Sequence, residues 1–208
     1  MTLTPAFYDT HLAPGFSSFT GVVLEDLSSL DTQQEHWLAN FALNQLTHSL
    51  KSTFRELAFN HIRRTQGALE AYRQLRSLLL EYPPYRRAAR RYFSALSQAE
   101  ICISFTAQAF EIANRFMQLA GQIPTHRHVS QYQIERLHDF YVALKHVPNM
   151  LAGSQFKGQD TTVLWLTGAG LQSRQRGTLS FQDLVLLLKE LADDASLLSN
   201  FVPSSELA

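Results

Sequence analysis

Apolar residues return every three or four positions through most of this 208-residue chain, and strict alternation is rare. From about 33 to 81 the positions Leu43, Leu46, Leu50, Phe54, Leu57, Ala58, Ile62, Leu69, Tyr72, Leu75 and Leu79 keep that step, with no proline among them. Residues three and four apart share one helix face, so the spacing predicts one long helix with a buried stripe. Gly67 is its weak point and marks a candidate bend. The sequence YPPY at 82–85 ends it. Pro83 holds its predecessor out of the helical region, and Pro84 suits the first turn of a new helix. The second long helix runs to about 120 with the stripe Tyr92, Ala95, Ala99, Cys102, Phe105, Ala109, Ile112, Phe116 and Leu119. Small residues alternate with aromatics there, which suits close helix contact. Gly121 is a candidate C-cap, and Pro124 stops any continuation.

Ser130 and Gln133 have the spacing of a capping box and open a third helix. Its stripe is Ile134, Leu137, Tyr141, Leu144 and Val147, and Pro148 ends it. TTVLWLT at 161–167 reads as a strand followed by the turn GAG at 168–170, which predicts a short hairpin or extended excursion. Ser180 and Asp183 cap a fourth helix carrying Leu184, Leu187, Leu188, Leu191 and Leu198. Residues 1–30 mix Pro, Gly, Ser and Phe without a period and read as an irregular arm anchored by aromatics such as Phe16 and Phe19. Residues 201–208 read as a frayed end. The expected architecture is an all-α bundle of four main helices, two of them long. It forms a single domain over 31–200, with one extended excursion near 161–170.

Composition narrows the class of protein. Apolar residues make up 45% and charged residues 17%, too hydrophobic for a disordered chain. The formal net charge is zero, so nothing global points to nucleic acid or an anionic membrane. The charges are segregated, however. Residues 1–50 hold five acids and no Lys or Arg, residues 51–91 hold ten basic residues against three acids, and residues 179–208 hold Lys189 against five acids. Either the middle forms a positive face that attracts phosphate, or the acidic ends cover the basic middle; the second is the simpler reading. The single cysteine, Cys102, excludes an internal disulfide or multi-cysteine metal site and reads as a small core residue. The opening MTLTPAFYDT lacks the pattern of a signal peptide, and no run approaches the ~20 apolar residues that span a bilayer. A cytoplasmic protein without membrane contact is expected.

Few motifs carry chemistry. Glu135-Arg-Leu-His138 is a single Glu-x-x-His, whereas a di-metal bundle site needs two. His126-Arg127-His128 falls in a loop without a carboxylate nearby in sequence and reads as solvated. There is no phosphate-binding glycine loop, dinucleotide fingerprint or Gly-x-Ser-x-Gly, so no cofactor or metal is expected. In RRAARRYF, Arg86 lies over Arg90 and Arg87 over Arg91. With Arg63, Arg64, Arg73 and Arg76 they can frame a groove that binds the phosphates of a nucleic acid, with tyrosines as stacking surfaces. A solvated surface is the plainer alternative. Along 136–146, Asp139 and His146 share a face, as do His138 and Lys145. A carboxylate that orients a histidine makes a proton carrier. The simpler reading is a polar face whose C-terminal histidine suits the helix dipole.

The order YFSALSQAEICISFTAQAFEIANRF (92–116), RLHDFYVALKH (136–146), VLWLTGAGLQSR (163–174) and LSFQDLVLLLKEL (179–191) resembles small prokaryotic HEPN-like helical proteins, over roughly residues 85–195. The resemblance implies an all-α, typically dimeric protein of a stress, toxin–antitoxin or antiphage system. Many such proteins are metal-independent ribonucleases with an Arg-x4–6-His motif, in which Arg stabilises charge on the phosphate and His moves the proton. Carried onto this chain, the resemblance points to His146, Lys145, Tyr141 and Arg136. The chain departs from the motif, because nine residues separate Arg136 from His146. The expected spacing occurs instead at Arg55 and His61, on the first long helix. Two expectations follow. One is a HEPN-like homodimer that binds RNA or a protein partner, with or without residual ribonuclease activity. The other is a non-enzymatic dimeric scaffold.

Overall fold

The longest apolar stripes become the longest helices. In the computed structural model, which describes residues 4–82, 89–123, 125–146, 163–174 and 176–202 apart from the Thr32 side chain, the helices are α1 (Pro5–His11), α2 (Asp31–Thr47), α3 (Ser52–Leu80), α4 (Ala89–Leu119), α5 (Gln131–Lys145) and α6 (Phe181–Ser199). The strands β1 (Leu164–Leu166), β2 (Gly170–Ser173) and β3 (Gly177–Ser180) form one antiparallel sheet in sequential order. The fold is mostly helical, as expected, and the extended excursion is a small three-stranded sheet where a hairpin is the expectation.

α3 and α4 are the antiparallel pair around which the rest packs. Phe54 at the start of α3 meets Phe116 near the end of α4 edge to face at 5.3 Å. At the other end, Arg91 of α4 donates to the carbonyls of Leu78 and Ser77 at 2.9 and 3.1 Å, satisfying orphan acceptors in the last turn of α3. Ala68, Ala71, Ala95, Ala99 and Ala109 are buried along the pair, and their small side chains let the two backbones approach. α3 runs unbroken through Gly67. A Cβ there would sit 2.8 Å from the Phe105 ring, so the glycine makes room for that aromatic.

The predicted helix over 33–81 is two helices. The chain turns at 48–51, where Leu50 enters the core and its N–H is taken by the Gln45 side chain at 3.0 Å. Thr47, His48 and Ser49 favour helix weakly, and burying Leu50 outweighs continuing the helix. The break also moves the buried face of α2 to Trp37 and Phe41, leaving Leu43 and Leu46 exposed. On α5 the core residues are Leu137, Phe140 and Ala143, while Ile134, Tyr141 and Leu144 are half-buried. Val147 and Pro148 lie outside the described residues, as do 161–162 and 203–208.

The N-terminal arm is ordered and belongs to the core. It carries α1 and two 3-10 turns, and buries Phe16, Phe19, Leu24 and Leu27. Tyr72 donates to the Glu25 carbonyl at 3.0 Å, and Arg76 to the Leu24 carbonyl at 3.1 Å. Gly21, at φ +86°, passes so close to α3 that a Cβ would lie 2.6 Å from the Leu79 oxygen.

The excursion is a three-stranded meander. Trp165 pairs with Gln172 and Gln172 with Thr178, putting Leu164, Leu166, Leu171 and Leu179 on the buried face. The predicted GAG turn is present, and the Thr167 hydroxyl accepts from the N–H groups of Ala169 and Gly170. Tyr92 of α4 serves the outer edge of β1, accepting from the Leu166 N–H at 2.8 Å and donating to its carbonyl at 3.3 Å. That satisfies an edge-strand residue inside the protein. β3 leads directly into α6 through the predicted Ser180 cap, which accepts from the Asp183 N–H at 2.9 Å.

Candidate functional site

The α5 stretch begins as its sequence indicates. Ser130 and Gln133 form a complete capping box. The proposed catalytic side chains do not converge, however. Arg136 donates to the Arg176 carbonyl and to the Tyr132 hydroxyl, and its guanidinium lies over the Tyr132 ring at 5.3 Å. Asp139 does not orient His146; it pairs with Arg176 at 3.1 Å. His138 faces Glu111 at 3.7 Å rather than Lys145. Lys145 and His146 are exposed at the C-terminal end of α5, where His146 is the cap residue, and Tyr141 is half-buried. Arg136, Asp139 and Arg176 tie α5 to β3, which is a structural task.

Arg55 and His61 point to different surroundings. Arg55 is exposed, while His61 is fully buried with Nδ1 3.0 Å from the Ala109 carbonyl. Burial pushes the His61 pKa down to about 4, against the weaker pull of the Ala109 and Leu191 carbonyls. A neutral core imidazole results. Between about pH 6.5 and 4 the unfolded chain holds a proton at this site that the folded chain does not. Unfolding free energy should therefore fall as pH drops through that window, and urea titrations of His61→Gln beside wild type should show a shallower fall. Parallel curves would dismiss this assignment.

Three arginines of the basic stretch are ion-paired. Arg76 meets Asp26 at 3.1 Å, Arg73 meets Asp31 at 3.3 Å and also Glu70, and Arg91 meets Glu81 at 3.0 Å. The acidic arm thus lies along the basic helix. Arg64 covers the Phe105 ring at 5.1 Å. Arg90 is exposed, and Arg86 and Arg87 lie outside the described residues.

The built site lies elsewhere, between the C-terminal halves of α4 and α6. The loop 125–129 is held by Glu190, which is 2% exposed on α6. Its carboxylate accepts from the Arg127 N–H at 3.0 Å on both oxygens and from the His128 N–H at 2.6 Å. His126 Nδ1 sits 3.5 Å from the same carboxylate, and its ring meets Phe110 edge to face at 5.8 Å. His128 Nε2 is 3.0 Å from Asp193. The loop read as solvated is therefore anchored by carboxylates some sixty residues away in sequence. The one local signal is Glu190 itself, an acid on the buried face of a leucine-rich helix. Beside this anchor opens a cavity of about 410 Å³ walled by Phe116, Met117, Leu197, Leu198, Phe201 and Val202. Asp194 lines it, and burial together with the neighbouring charges of Glu190 and Asp193 pushes its pKa up to about 7.

No family model, curated protein or solved structure matches this chain. Among the described residues no group of three or more His, Cys, Asp or Glu has the geometry to hold a metal ion, and no helix is long and apolar enough to cross a membrane. Glu135 of the Glu-x-x-His pair accepts from Gln131 at 3.2 Å. Cys102 is fully buried, which pushes its thiol up to about 12 and leaves it without thiolate character. The chemical capacity of the cavity is recognition: an apolar wall with acidic groups at one end.

Proposed function

We propose that this protein works by binding and not by catalysis, as a non-enzymatic helical interaction protein on a HEPN-like plan, cytoplasmic and homodimeric. The observation that carries this reading is the commitment of Arg136 and Asp139 to Arg176 and Tyr132. A ribonuclease of the HEPN type needs a free arginine beside its histidine on the scissile phosphate, and here the arginine is held away in the α5–β3 contact. The apolar surface adds support for a protein partner or second copy. Asn44 donates to the Phe201 carbonyl at 2.6 Å, which sets the ends of α2 and α6 side by side. Leu43, Leu46, Leu197 and Val202 are 64%, 84%, 56% and 61% exposed there.

Purified protein incubated with single-stranded and hairpin RNA in EDTA is expected to leave both intact, with His146→Ala and Arg136→Ala indistinguishable from wild type. Cleavage by wild type that disappears in either variant would replace this reading with a metal-independent ribonuclease centred on α5. RNA binding without cleavage that weakens steeply with salt would keep the binding reading and name RNA as the partner.

A further inference from the structure

We propose that the cavity between α4 and α6 binds a small hydrophobic amine. The ammonium group would sit on the Asp194 carboxylate and the apolar body against Phe116, Met117, Leu198 and Phe201. This rests on the reading of the chain as a binding protein, but its test is separate from the RNA assay.

Size and shape come first. The volume of about 410 Å³ falls within the roughly 300–1,000 Å³ typical of small-molecule sites, which are mostly apolar with a few placed polar groups. Charge then selects the ligand. Glu190 is fully used by the backbone of the 125–129 loop, and Asp193 by His128. Asp194 alone has no hydrogen bond or ion pair among the described residues, although it is half-buried at the cavity wall. The charged and titratable groups around it are Glu190 and Asp193 on α6, His126 and Arg127 on the loop, and His128 paired with Asp193; the one polar side chain that α4 adds to the lining is the neutral Asn114, beside the apolar Ala113, Phe116 and Met117. Among the described lining residues Arg127 is the one permanent cation, it is exposed, and its pull on Asp194 is smaller than the opposing effects of burial and the two acids. The field at Asp194 is negative, so a cation is favoured over a neutral or anionic molecule of the same shape.

The binding step is an exchange. A protonated Asp194 carboxyl releases its proton to solvent, and the carboxylate so formed pairs with the incoming ammonium. Affinity for the amine must then rise as pH climbs through about 7, while affinity for a neutral analogue stays level. An apolar wall without the acid would bind amine and alcohol alike.

The probes are octylammonium chloride, 1-octanol and sodium octanoate, titrated into the full chain by calorimetry at pH 6 and pH 8. Octylammonium is expected to bind at least tenfold tighter than either analogue at pH 8 and to weaken severalfold at pH 6. Asp194→Asn, near-isosteric, should bring octylammonium down to the octanol value and leave octanol unchanged, which reports that the cavity is intact. Equal affinity for amine and alcohol, absence of binding, or an amine affinity untouched by Asp194→Asn overturns the proposal. Should the variant fail to fold, the pH dependence of wild type decides alone: a level amine affinity from pH 6 to 8 refutes it.

Discussion

Replacing Phe16 with alanine is expected to cost about 3–5 kcal/mol of unfolding free energy, the usual loss for truncating a buried aromatic. The residue lies in the N-terminal arm, where the sequence marks it as an anchoring aromatic, and its side chain is 1% exposed. It meets Tyr92 edge to face at 5.1 Å and stacks on Phe93 at 6.5 Å, with Tyr8 closing the cluster at 5.8 Å. Truncation would leave a cavity under the arm and strip a partner from Tyr92, the residue that secures β1. The damage should therefore reach the sheet. Urea unfolding would measure the loss, and hydrogen exchange should find Leu166 less protected. A cost below about 1 kcal/mol would mean that the arm is not part of the core in solution. Phe16→Leu, which keeps most of the apolar volume, should cost less than half as much.

Glu190→Leu is expected to destabilise by a similar amount, about 3–5 kcal/mol, although leucine is the commoner residue on a buried helix face. The backbone N–H groups of Arg127 and His128 donate to this carboxylate. Removing their acceptor, which is itself buried, leaves part-buried donors unsatisfied at up to roughly 1–3 kcal/mol each, and the lost bonds are of the stronger, charge-assisted kind. Glu190→Gln keeps one carbonyl oxygen and should lose less. Exchange of the amides at 127 and 128 should rise sharply in Glu190→Leu while those of α3 stay protected. If the leucine variant proves as stable as wild type, the loop is held by something other than this carboxylate.

What could be read along the chain was what depends on near neighbours. The Ser130 capping box, the Ser180 cap and the Thr167–Gly170 turn each satisfy backbone groups within a few residues, so residue types at fixed spacing suffice. The same holds for the leucines of α6, where a step of three and four can face only one way. Glu190 sat in plain view among them but said nothing of its partners, because the loop that it holds arrives from more than sixty positions away. On α5 the simpler reading, a polar face with His146 at its C-terminal cap, agrees with the structure, and the alternative pairing of Asp139 with His146 does not. Spacing allowed Asp139 and His146 on one face, and Arg176, just before β3, is the cation that Asp139 pairs with.

By itself the sequence determined several helix ends, much of the buried stripe of α3, α4 and α6, and that one segment is extended; each follows from local hydrogen bonding and from the period of the apolar positions. Tertiary structure decided the rest. It broke the first helix at 48–51 to bury Leu50, gave Gly67 to the Phe105 ring, drew the arm's aromatics into the core, and built a cavity from the ends of α4 and α6. Those outcomes turn on which distant surface meets a given side chain, and burial against a distant partner outweighs the small energies of local preference.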